Sequence, residues 1–457
     1  MKKIAVIICG MEYHNQQEFL QGIIQYNEEN EGRVFEFLSN TDYRASDEYM
    51  KGAFQIYDFV NPGEYDGVIL LGETIHYQPA HKYIAEKLKE SGVPVLSVSE
   101  KIEGMGYIGF DVYEGMQKMV RHIIQEHGVR NIAYIHGSEE YEDAVLRAQA
   151  FRDTLEQENL IRENCWFYQG DFNVESGMDA VQEFERMHRM PDAIVCSNDS
   201  MAAGAILQLQ DYGYRVPEDV LVTGFDDVCV ARDNSPQITT VRCDRQKMGY
   251  LACEYLMTRS EQEIRELSVL LPTEQIYAGS CGCPERKEDV DELKRRILRK
   301  NVIERRYRGM FNELLSQLVV YHKTEDLIRT IRKFVPELHT EYFYVALRDM
   351  ELITKRMIRQ HRHNWLDLSR IGRKGENYSM PIAYEKGEFS SYSQINKGQL
   401  LPGQCMERRE GAVCFVMPMH YEEQFFGYCV VGNCELSMET GILSQWLLEL
   451  GTAWRAS

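Results

Sequence analysis

Short apolar runs alternate with amphipathic stretches along the first 283 residues of the chain. The apolar runs have strand length and predict β-strands at Ile4–Cys9, Val34–Leu38, Gly67–Leu71, Val93–Val98, Asn131–His136, Cys165–Tyr168, Ala193–Cys196 and Val220–Thr223. Between most of these strands, apolar residues recur at helical spacing and predict amphipathic helices, for example at Gln16–Glu28, Ala80–Ser91, Glu114–His127 and Ala148–Glu158. Continuous apolar strands that alternate with helices predict parallel sheets covered on both faces, and so many strands favour two sheets over one.

The pattern changes after Pro284 to a charged segment, Glu285–His322, with helical periodicity. A spacing of three and four residues runs through Val290, Leu293, Ile297, Lys300, Glu304, Tyr307, Phe311, Leu314, Leu318 and Tyr321. All of these except Lys300 and Glu304 are apolar, which is typical of a heptad seam. The seam favours a dimeric coiled coil over residues 284–322, and the alternative is a helix that packs on its own domain.

A third region, residues 323–457, mixes strand and helix patterns. Glu341–Leu347 predicts a strand, and Ala412–His420 with Phe425–Val431 predicts a hairpin around Tyr421–Gln424. Met438–Trp454 predicts a closing helix with one apolar face, whereas Ile371–Gly403 has weak periodicity. This combination predicts a smaller α+β domain.

Composition and charge narrow the function classes. The chain has 457 residues and a formal net charge of −20, which predicts two or three domains and argues against a nucleic-acid-binding surface over most of the chain. Its 12 cysteines show no paired CxxC spacing, so we expect reduced thiols in a cytoplasmic protein. The run Ile4–Cys9 is too short for a signal peptide, and no run is long enough to span a bilayer, so no membrane partner is expected.

Polar side chains follow two neighbouring predicted strands. Ser197, Asn198 and Asp199 come directly after Ala193–Cys196, and Asp226 follows Val220–Thr223 closely. Ligands of open α/β sheets bind outside the carboxyl ends of the strands. The two strand ends therefore predict half of a cleft for a small polyol.

The run from Pro191 to Val241 resembles the core of the LacI/GalR family of sugar-responsive repressors, because it contains SNDSMAAGA, VPEDVLVTGFDD and PQITTV. The resemblance implies an α/β, two-lobed, type I periplasmic-binding-protein-like fold for residues 1–283, with two parallel sheets. It also implies a small polar ligand, such as a carbohydrate, bound between the lobes. The segment Val93–Gly137 resembles the family's crossing from the first lobe to the second.

The family's ligand-binding positions fall on particular residues of this chain. Arg147 matches the ligand-binding arginine, although Ala150 stands where the family has glycine. Asp171 and Phe172 lie in the GD-aromatic turn, with Phe172 as the face that covers a sugar ring. Asn198 matches the asparagine of the ND pair, and Asp226 matches the aspartate that accepts from two hydroxyls. The alternatives are a solvated arginine, a core phenylalanine and two loop caps.

The first-lobe half of the ligand site is less defined by the sequence. Glu12 and Tyr13 follow the first strand, where family members contact ligand, but their loop does not match the family pattern. Asp111 lies at the crossing between lobes and is a further candidate. Asp227 is interpreted as structural, capping the segment that follows it.

Other apparent motifs carry no predicted chemistry. Gly104–Gly109 fits GxGxxG but is interpreted as part of the crossing between lobes rather than a nucleotide site. Cys281-Gly-Cys283 resembles half of a metal site, for which the sequence shows no second pair. No nucleophile and base can be assembled, so we expect no catalytic residues, no metal, no cofactor and no enzymatic activity.

The order of the three regions extends the functional expectation. The hairpin of the third region resembles a late hairpin of GAF domains, and the whole order resembles sensory regions of GGDEF-type diguanylate cyclases. We therefore expect a ligand-sensing region of a cytoplasmic bacterial signalling protein, dimeric through residues 285–322. Lobe closure would act through that helix on a cyclase-type output domain absent from this chain.

Two alternatives remain for the function. One is a LacI-like transcriptional regulator acting on DNA, and the other is a transport-type solute-binding protein. Family repressors begin with a helix-turn-helix, whereas this chain begins on the first strand, so no nucleic-acid binding is expected of this chain alone.

Overall fold

The chain forms two compact units in a computed structural model that describes residues 3–10, 14–30, 33–39, 46–160, 165–285, 290–318, 324–348, 378–395, 400–401 and 413–434. Unit 1 comprises Met1–Tyr107, Gln246–Ser268 and Leu293–Ser457, and unit 2 comprises Ile108–Arg245 and Val269–Glu292. Glu12 and Tyr13, and the predicted helix at Met438–Trp454, lie outside the described residues.

The strands and helices follow the alternation in the sequence. The described strands are β1 (Lys3–Cys9), β2 (Arg33–Ser39), β3 (Gly67–Leu70), β4 (Val95–Val98), β5 (Gly106–Phe110), β6 (Ile132–His136), β7 (Cys165–Gln169), β8 (Ala193–Cys196), β9 (Leu221–Thr223), β10 (Thr240–Arg242), β11 (Ser268–Leu271), β12 (Glu274–Ile276), β13 (Thr340–Arg348), β14 (Tyr378–Glu385), β15 (Glu388–Ile395), β16 (Val413–Tyr421) and β17 (Gln424–Cys434). The described helices are α1 (His14–Asn30), α2 (Asp47–Ala53), α3 (Gln78–Glu90), α4 (Val112–His127), α5 (Glu142–Gln157), α6 (Val174–Arg186), α7 (Asp199–Asp211), α8 (Cys229–Asp233), α9 (Arg245–Thr258), α10 (Glu261–Arg265), α11 (Val290–Leu318) and α12 (Thr324–Phe334). Among these helices, none combines the length and the apolar content that crossing a bilayer demands.

Unit 1 contains one long mixed sheet. Its strand order is β11-β5-β4-β3-β1-β2-β16-β17-β13-β14-β15, and the chain passes between the two units at β5 and β11. β1 pairs in parallel with both β2 and β3. Its residues from Ile4 to Cys9 are all buried, as a strand covered on both faces requires.

The third region of the sequence extends this sheet. β16 runs parallel to β2, with Val413 beside Val34, and the strands from β16 to β15 are paired antiparallel. β14 and β15 fall where the sequence predicted no element. Their pairing shifts register at two places, and such irregularities interrupt the alternation on which strand prediction depends.

Unit 2 is built on a parallel sheet of order β7-β6-β8-β9 with helices between its strands. The predicted strands of this unit lie where the sequence placed them, within a residue or two at each end. β5 was not predicted, since its segment was interpreted only as the crossing between lobes. Its glycines, Gly104, Gly106 and Gly109, precede or lie within the strand rather than following it, so they form no phosphate loop before α4.

The long helix predicted after Pro284 is present as α11. In its second half Tyr307, Phe311 and Leu314 are buried, whereas Ile297 in the first half is 49% exposed. The second half therefore packs on its own unit, which is the alternative that the heptad pattern left open. A coiled coil between two chains stays a prediction.

Candidate functional site

Four loops at the carboxyl ends of the unit 2 strands carry the candidate residues. Gly137 follows β6, Phe172 follows β7, Asn198 follows β8, and Asp226 follows β9. Parallel strands end at the same edge of a sheet, so these loops lie side by side in the order of their strands.

Arg147 reaches this edge from helix α5 and is almost fully buried, with 5% of its surface exposed. Its Nη1 donates to the carbonyl oxygen of Ser197 at 2.7 Å, and its guanidinium lies over the Phe225 ring at 4.1 Å from the centroid. Its Nε is buried and has no hydrogen-bond partner among the described residues. Arg147 is therefore not the solvated helix arginine of the alternative reading.

Asp226 is the centre of a buried ionic cluster. Its Oδ1 accepts from Nη2 of Arg245 at 2.9 Å and lies 3.6 Å from Nη2 of Arg147. Asp143 Oδ2 lies 3.9 Å from the same Arg147 nitrogen, one helical turn before it on α5. The cluster thus contains two guanidinium and two carboxyl groups, which balance in charge when all are ionised.

The cluster holds Asp226 and Arg147 in their charged forms. Burial favours the neutral carboxyl, but the charges of Arg245 and Arg147 outweigh it and keep the pKa of Asp226 below its ordinary value. Burial likewise disfavours the cation of Arg147, yet Asp226 and Asp143 raise its pKa. Burial raises the pKa of Asp143, with repulsion from Asp226 adding to it and Arg147 opposing it.

Phe172 lies half-buried in the loop after β7. Its backbone is left-handed, with φ of 70°, and its ring contacts Tyr141 edge-on at a centroid distance of 5.6 Å. A Cβ on Gly137 would come within 2.2 Å of the ring, so the ring packs directly on the loop after β6. The Phe172 ring therefore lies at the strand ends, and part of its surface remains exposed to solvent.

The side chains of Asn198 and Asp199 form hydrogen bonds within the protein. Asn198 is the N-cap of α7, accepting from the Met201 amide at 3.0 Å and donating to the Phe172 carbonyl at 2.9 Å. The fully buried Asp199 accepts from the Thr240 hydroxyl at 2.6 Å and the Val228 amide at 2.9 Å. Asn198 has the capping geometry that the sequence left as its alternative.

Three further predicted residues have local structural contacts. Asp171 accepts from the Asn173 amide at 3.1 Å within its own turn, and Asp111 is the N-cap of α4, accepting from the Glu114 amide at 2.9 Å. Asp227 accepts from Nε of Arg242 at 2.8 Å. This ion pair is consistent with the structural role interpreted for Asp227 from the sequence.

The sequence did not single out Asp143, Arg245 or Phe225. Asp143 stands four residues before Arg147, a spacing that favours an ion pair on one helix face and is the only local signal. Arg245 is the first residue of helix α9, which is separated from the end of β10 by two residues, and no periodic pattern connects it with Asp226. Arg245 contacts Asp226 only because of the tertiary fold, and a single sequence does not reveal such a contact.

A separate cluster in unit 2 corrects the expectation that Cys281-Gly-Cys283 has no second pair. The ligand atoms of His122, His127, Cys281 and Cys283 all lie within 4.8 Å of one another. The two histidines sit at the end of α4, so they are distant in sequence and spaced unlike a familiar metal motif.

The strand-end site offers complementary groups for a hydroxylated ligand. A charged carboxylate accepts hydrogen bonds from neighbouring hydroxyls, guanidinium nitrogens donate to oxygen, and an aromatic face covers the apolar side of a ring. Arg147, Asp226 and Phe172 supply these three functions at one edge of one sheet.

Comparison with known proteins identifies the class. Residues 120–281 match the periplasmic binding protein-like domain, which covers most of unit 2. The structure resembles a LacI family transcriptional regulator CcpA from Weissella paramesenteroides with bound glucose, with a TM-score of 0.52, 20% identity and coverage of 61% of this chain and 98% of that chain. The chain therefore contains a periplasmic-binding-protein-like domain with the two-lobed α/β fold of that class.

Curated relatives of the chain include transcriptional repressors. The chain is 29% identical over 237 residues to the probable HTH-type repressor ExuR of Bacillus subtilis, which covers 51% of this chain and 70% of that protein. It is 34% identical over 165 residues to the repressor PurR of Erwinia tasmaniensis, covering 36% of this chain and 48% of that protein. The chain thus spans about half the length of the PurR relative.

These relatives overturn the main functional prediction. A sensor for a diguanylate cyclase was expected from the order of the regions, but the matched proteins are HTH-type transcriptional repressors. The prediction was wrong because it relied on the order of weakly defined regions after residue 284, whereas the matched family domain covers residues 120–281. The prediction that the protein is not an enzyme agrees with these relatives.

Proposed function

We propose that this chain is the effector-binding part of a LacI-like transcriptional regulator. Its effector is a small polyhydroxylated molecule, a sugar or a close relative, held at the strand ends of unit 2. The buried cluster of Arg147, Asp226 and Arg245 is the observation that carries this proposal. A charged cluster is expensive to bury, and a buried guanidinium with an unused Nε is suited to a polar ligand.

Backbone conformation at the same loops supports a binding role. Asp226 has φ of 105° and Phe172 has φ of 70°, both in a region that side-chain-bearing residues rarely adopt. Such strain costs about 1–3 kcal/mol per residue and collects at ligand sites. Both residues are among those that the family resemblance assigns to ligand binding.

The ligand would contact a subset of the predicted residues. Asp226 accepts from ligand hydroxyls, Arg147 donates to ligand oxygens, and Phe172 covers the ring. Asn198 and Asp171 border the site and are secondary contacts, since their side chains already cap or turn the backbone. Asp111, Glu12 and Tyr13 remain proposed contacts on the strength of the resemblance alone.

The rest of the predicted organisation is retained as part of the proposal. Residues 1–283 form the sensor, 284–322 a signalling helix that supports a homodimer, and 323–457 a GAF-like domain. The antiparallel order β16-β17-β13-β14-β15 is consistent with the α+β class. The names of the relatives support regulation of transcription as the role of the whole protein, and a cytoplasmic location is part of the proposal.

A thermal-shift screen of the full chain tests the proposal. The panel contains sugars, sugar phosphates and nucleosides, each at saturating concentration. A ligand at a hundredfold excess over its Kd stabilises the folded protein by about 2.7 kcal/mol, which we expect as a clear rise in Tm. Arg147→Lys, which keeps the charge but lacks the planar fork, should abolish most of the shift.

Arg215→Lys is the matched control for this screen. Arg215 forms an exposed ion pair with Asp219 at 2.6 Å in the same unit, so its substitution should leave the ligand-induced shift unchanged. A shift that survives in Arg147→Lys at full size, or that disappears in Arg215→Lys as well, would contradict the assignment of the site.

A further inference from the structure

Two histidines and two cysteines of unit 2 bring their ligand atoms within 4.8 Å of one another. His122 and His127 lie on the last turns of α4, and Cys281 and Cys283 flank Gly282 shortly before the chain leaves the unit. The Nε2 atoms of the histidines are 3.1 Å apart. Cys283 Sγ lies 3.6 Å from His122 Nε2 and 3.7 Å from His127 Nε2, and Cys281 Sγ lies 3.7 Å from His122 Nε2.

Four of the six separations between these ligand atoms are close to the edges of a tetrahedron around zinc, and the other two, from Cys281 to Cys283 and to His127, are at most 4.8 Å. Zn–S bonds of about 2.3 Å and Zn–N bonds of about 2.0–2.1 Å place neighbouring ligand atoms about 3.3–3.8 Å apart. Three of the sulfur–nitrogen separations fall in this range, and the nitrogen–nitrogen separation is slightly shorter. We propose that His122, His127, Cys281 and Cys283 bind one Zn²⁺ ion in a closed, structural site.

The chemistry of the ligand set favours zinc over other metals. Two sulfurs and two imidazoles in tetrahedral arrangement are typical of zinc, whereas calcium, magnesium and manganese prefer oxygen ligands. Two thiolates also cancel the charge of the divalent ion, which suits a site whose Cys281 is fully buried. Four protein ligands leave no open position, as in structural and not catalytic zinc sites.

Local backbone geometry brings the two sulfurs to the same side. Gly282 has a left-handed backbone with φ of 89°, which a residue with a side chain adopts only under strain. This turn lets residues on either side of Gly282 both approach His122. On the other element, His127 is the last residue of α4, and Gly128, also left-handed with φ of 67°, ends the helix there.

Neighbouring groups support the ligands as they do in known metal sites. The buried Thr239 hydroxyl lies 2.9 Å from Cys281 Sγ and can donate to a thiolate. The Tyr277 ring stacks on the His122 imidazole at a centroid distance of 3.8 Å and an angle of 21°. These contacts fix one sulfur and one imidazole before a metal arrives.

Hydrogen bonding alone explains the cluster less well. Each hydrogen bond needs one donor and one acceptor, and thiols are weak in both roles. One metal ion can be coordinated by the two nitrogens and the two sulfurs at the same time. Hydrogen bonds, in contrast, can form between only some of the close pairs of atoms. The site would join the end of α4 to the segment that precedes α11, and it is independent of the strand-end effector site.

Metal analysis of the full chain tests this proposal. The protein is purified without chelators, incubated with ZnSO₄, desalted and measured by inductively coupled plasma mass spectrometry. We expect about one zinc per chain. Cys283→Ser and His127→Gln should each reduce zinc to background, whereas Cys229→Ser and His188→Gln, at exposed positions of the same unit, should keep it.

Thiol labelling of the unsubstituted chain tests the same site without any variant, so its result does not depend on whether a variant folds. Zinc-loaded protein should label slowly at Cys281 and Cys283 and faster after a chelator is added, with Cys229 labelled equally in both cases. Absence of zinc from folded protein would overturn the proposal. So would unchanged zinc content in Cys283→Ser, or a Cys281–Cys283 disulfide seen as a loss of two hydrogens by mass.

Discussion

At the scale of single residues, the candidate site depends on charges that stay ionised while buried. Arg147 and Asp226 are 5% and 8% exposed, and each keeps its charge because the other lies beside it together with Arg245. Removing one partner of a buried pair leaves an uncompensated charge, which costs about 3–5 kcal/mol. Asp226→Asn and Asp226→Ala both remove the charge of Asp226, but asparagine keeps the side-chain volume and one oxygen acceptor, so it disturbs the buried cluster less and is the better test of binding.

Another buried residue, His420, should make the stability of the protein depend on pH. His420 on β16 is 3% exposed, and burial, opposed by the carbonyl of Glu422, lowers its pKa to about 4. An unfolded histidine titrates near 6.5, so below that pH the unfolded state binds the proton first. The free energy of unfolding should fall by up to about 3 kcal/mol between pH 6.5 and pH 4 from this group.

Urea unfolding at pH 7 and pH 5 measures this contribution. His420→Phe keeps an aromatic ring beside Tyr49 but cannot titrate, so it should lose less stability than the unsubstituted protein over this interval. His188→Phe, at an exposed position, should behave like the unsubstituted protein. An equal pH dependence in His420→Phe would contradict the account.

The sequence predicted some of these residues and not others for definite reasons. Arg147 and Asp226 stand in motifs of consecutive residues, and the structure brings both to the strand ends. Asn198 stands in a motif too, but its side chain serves the start of α7. Arg245 and His122 act across long separations in the chain, so no local pattern connects them with Asp226 or with Cys281.

At the scale of elements, helices α6 and α7 pack unusually close through two glycines. A Cβ at Gly204 on α7 would lie 1.9 Å from the Val174 carbonyl oxygen, and one at Gly177 on α6 would lie 2.0 Å from the Met201 carbonyl oxygen. Both clashes are with backbone, which cannot move without separating the helices. The close approach is therefore a requirement of the fold next to the strand-end site.

Alanine substitution measures this requirement. Gly204→Ala should destabilise unit 2 by about 1–3 kcal/mol, even though alanine favours helix, because overpacking outweighs propensity. Gly309→Ala is the matched control, since Gly309 lies exposed in α11 with nothing within 4 Å of an added Cβ. The control should stabilise by up to about 1 kcal/mol. Chemical denaturation that finds both variants equally stable would refute the packing argument.

Element prediction succeeded where the apolar pattern was unbroken. β1, β6 and β8 are continuous apolar runs, and each lies where it was predicted. β14 and β15 were missed because irregular pairing disturbs their alternation. The pairing of β16 with β2 joins residues hundreds of positions apart, and no local signal encodes it.

At the scale of the whole molecule, the chain joins a periplasmic-binding-protein-like domain to further strands and helices. The described strands after residue 324 continue the sheet of unit 1, while the candidate effector residues and the proposed zinc site lie in unit 2. Fold class for residues 1–283 followed from the alternation of strands and helices and from one dense motif. The regulatory output of the protein could not be predicted in this way, because the sequence after residue 284 carries no motif of comparable specificity.

Calorimetric titration of the full chain tests the central claim most directly. The titrant is the compound that gives the largest thermal shift, and the proteins are the unsubstituted chain, Asp226→Asn and the control Asp219→Asn. Loss of charge-assisted hydrogen bonds at Asp226 should raise Kd about 10–100-fold, with Asp219→Asn unchanged. An unchanged Kd in Asp226→Asn, or no binding of any compound by the folded protein, would contradict an effector site at these strand ends.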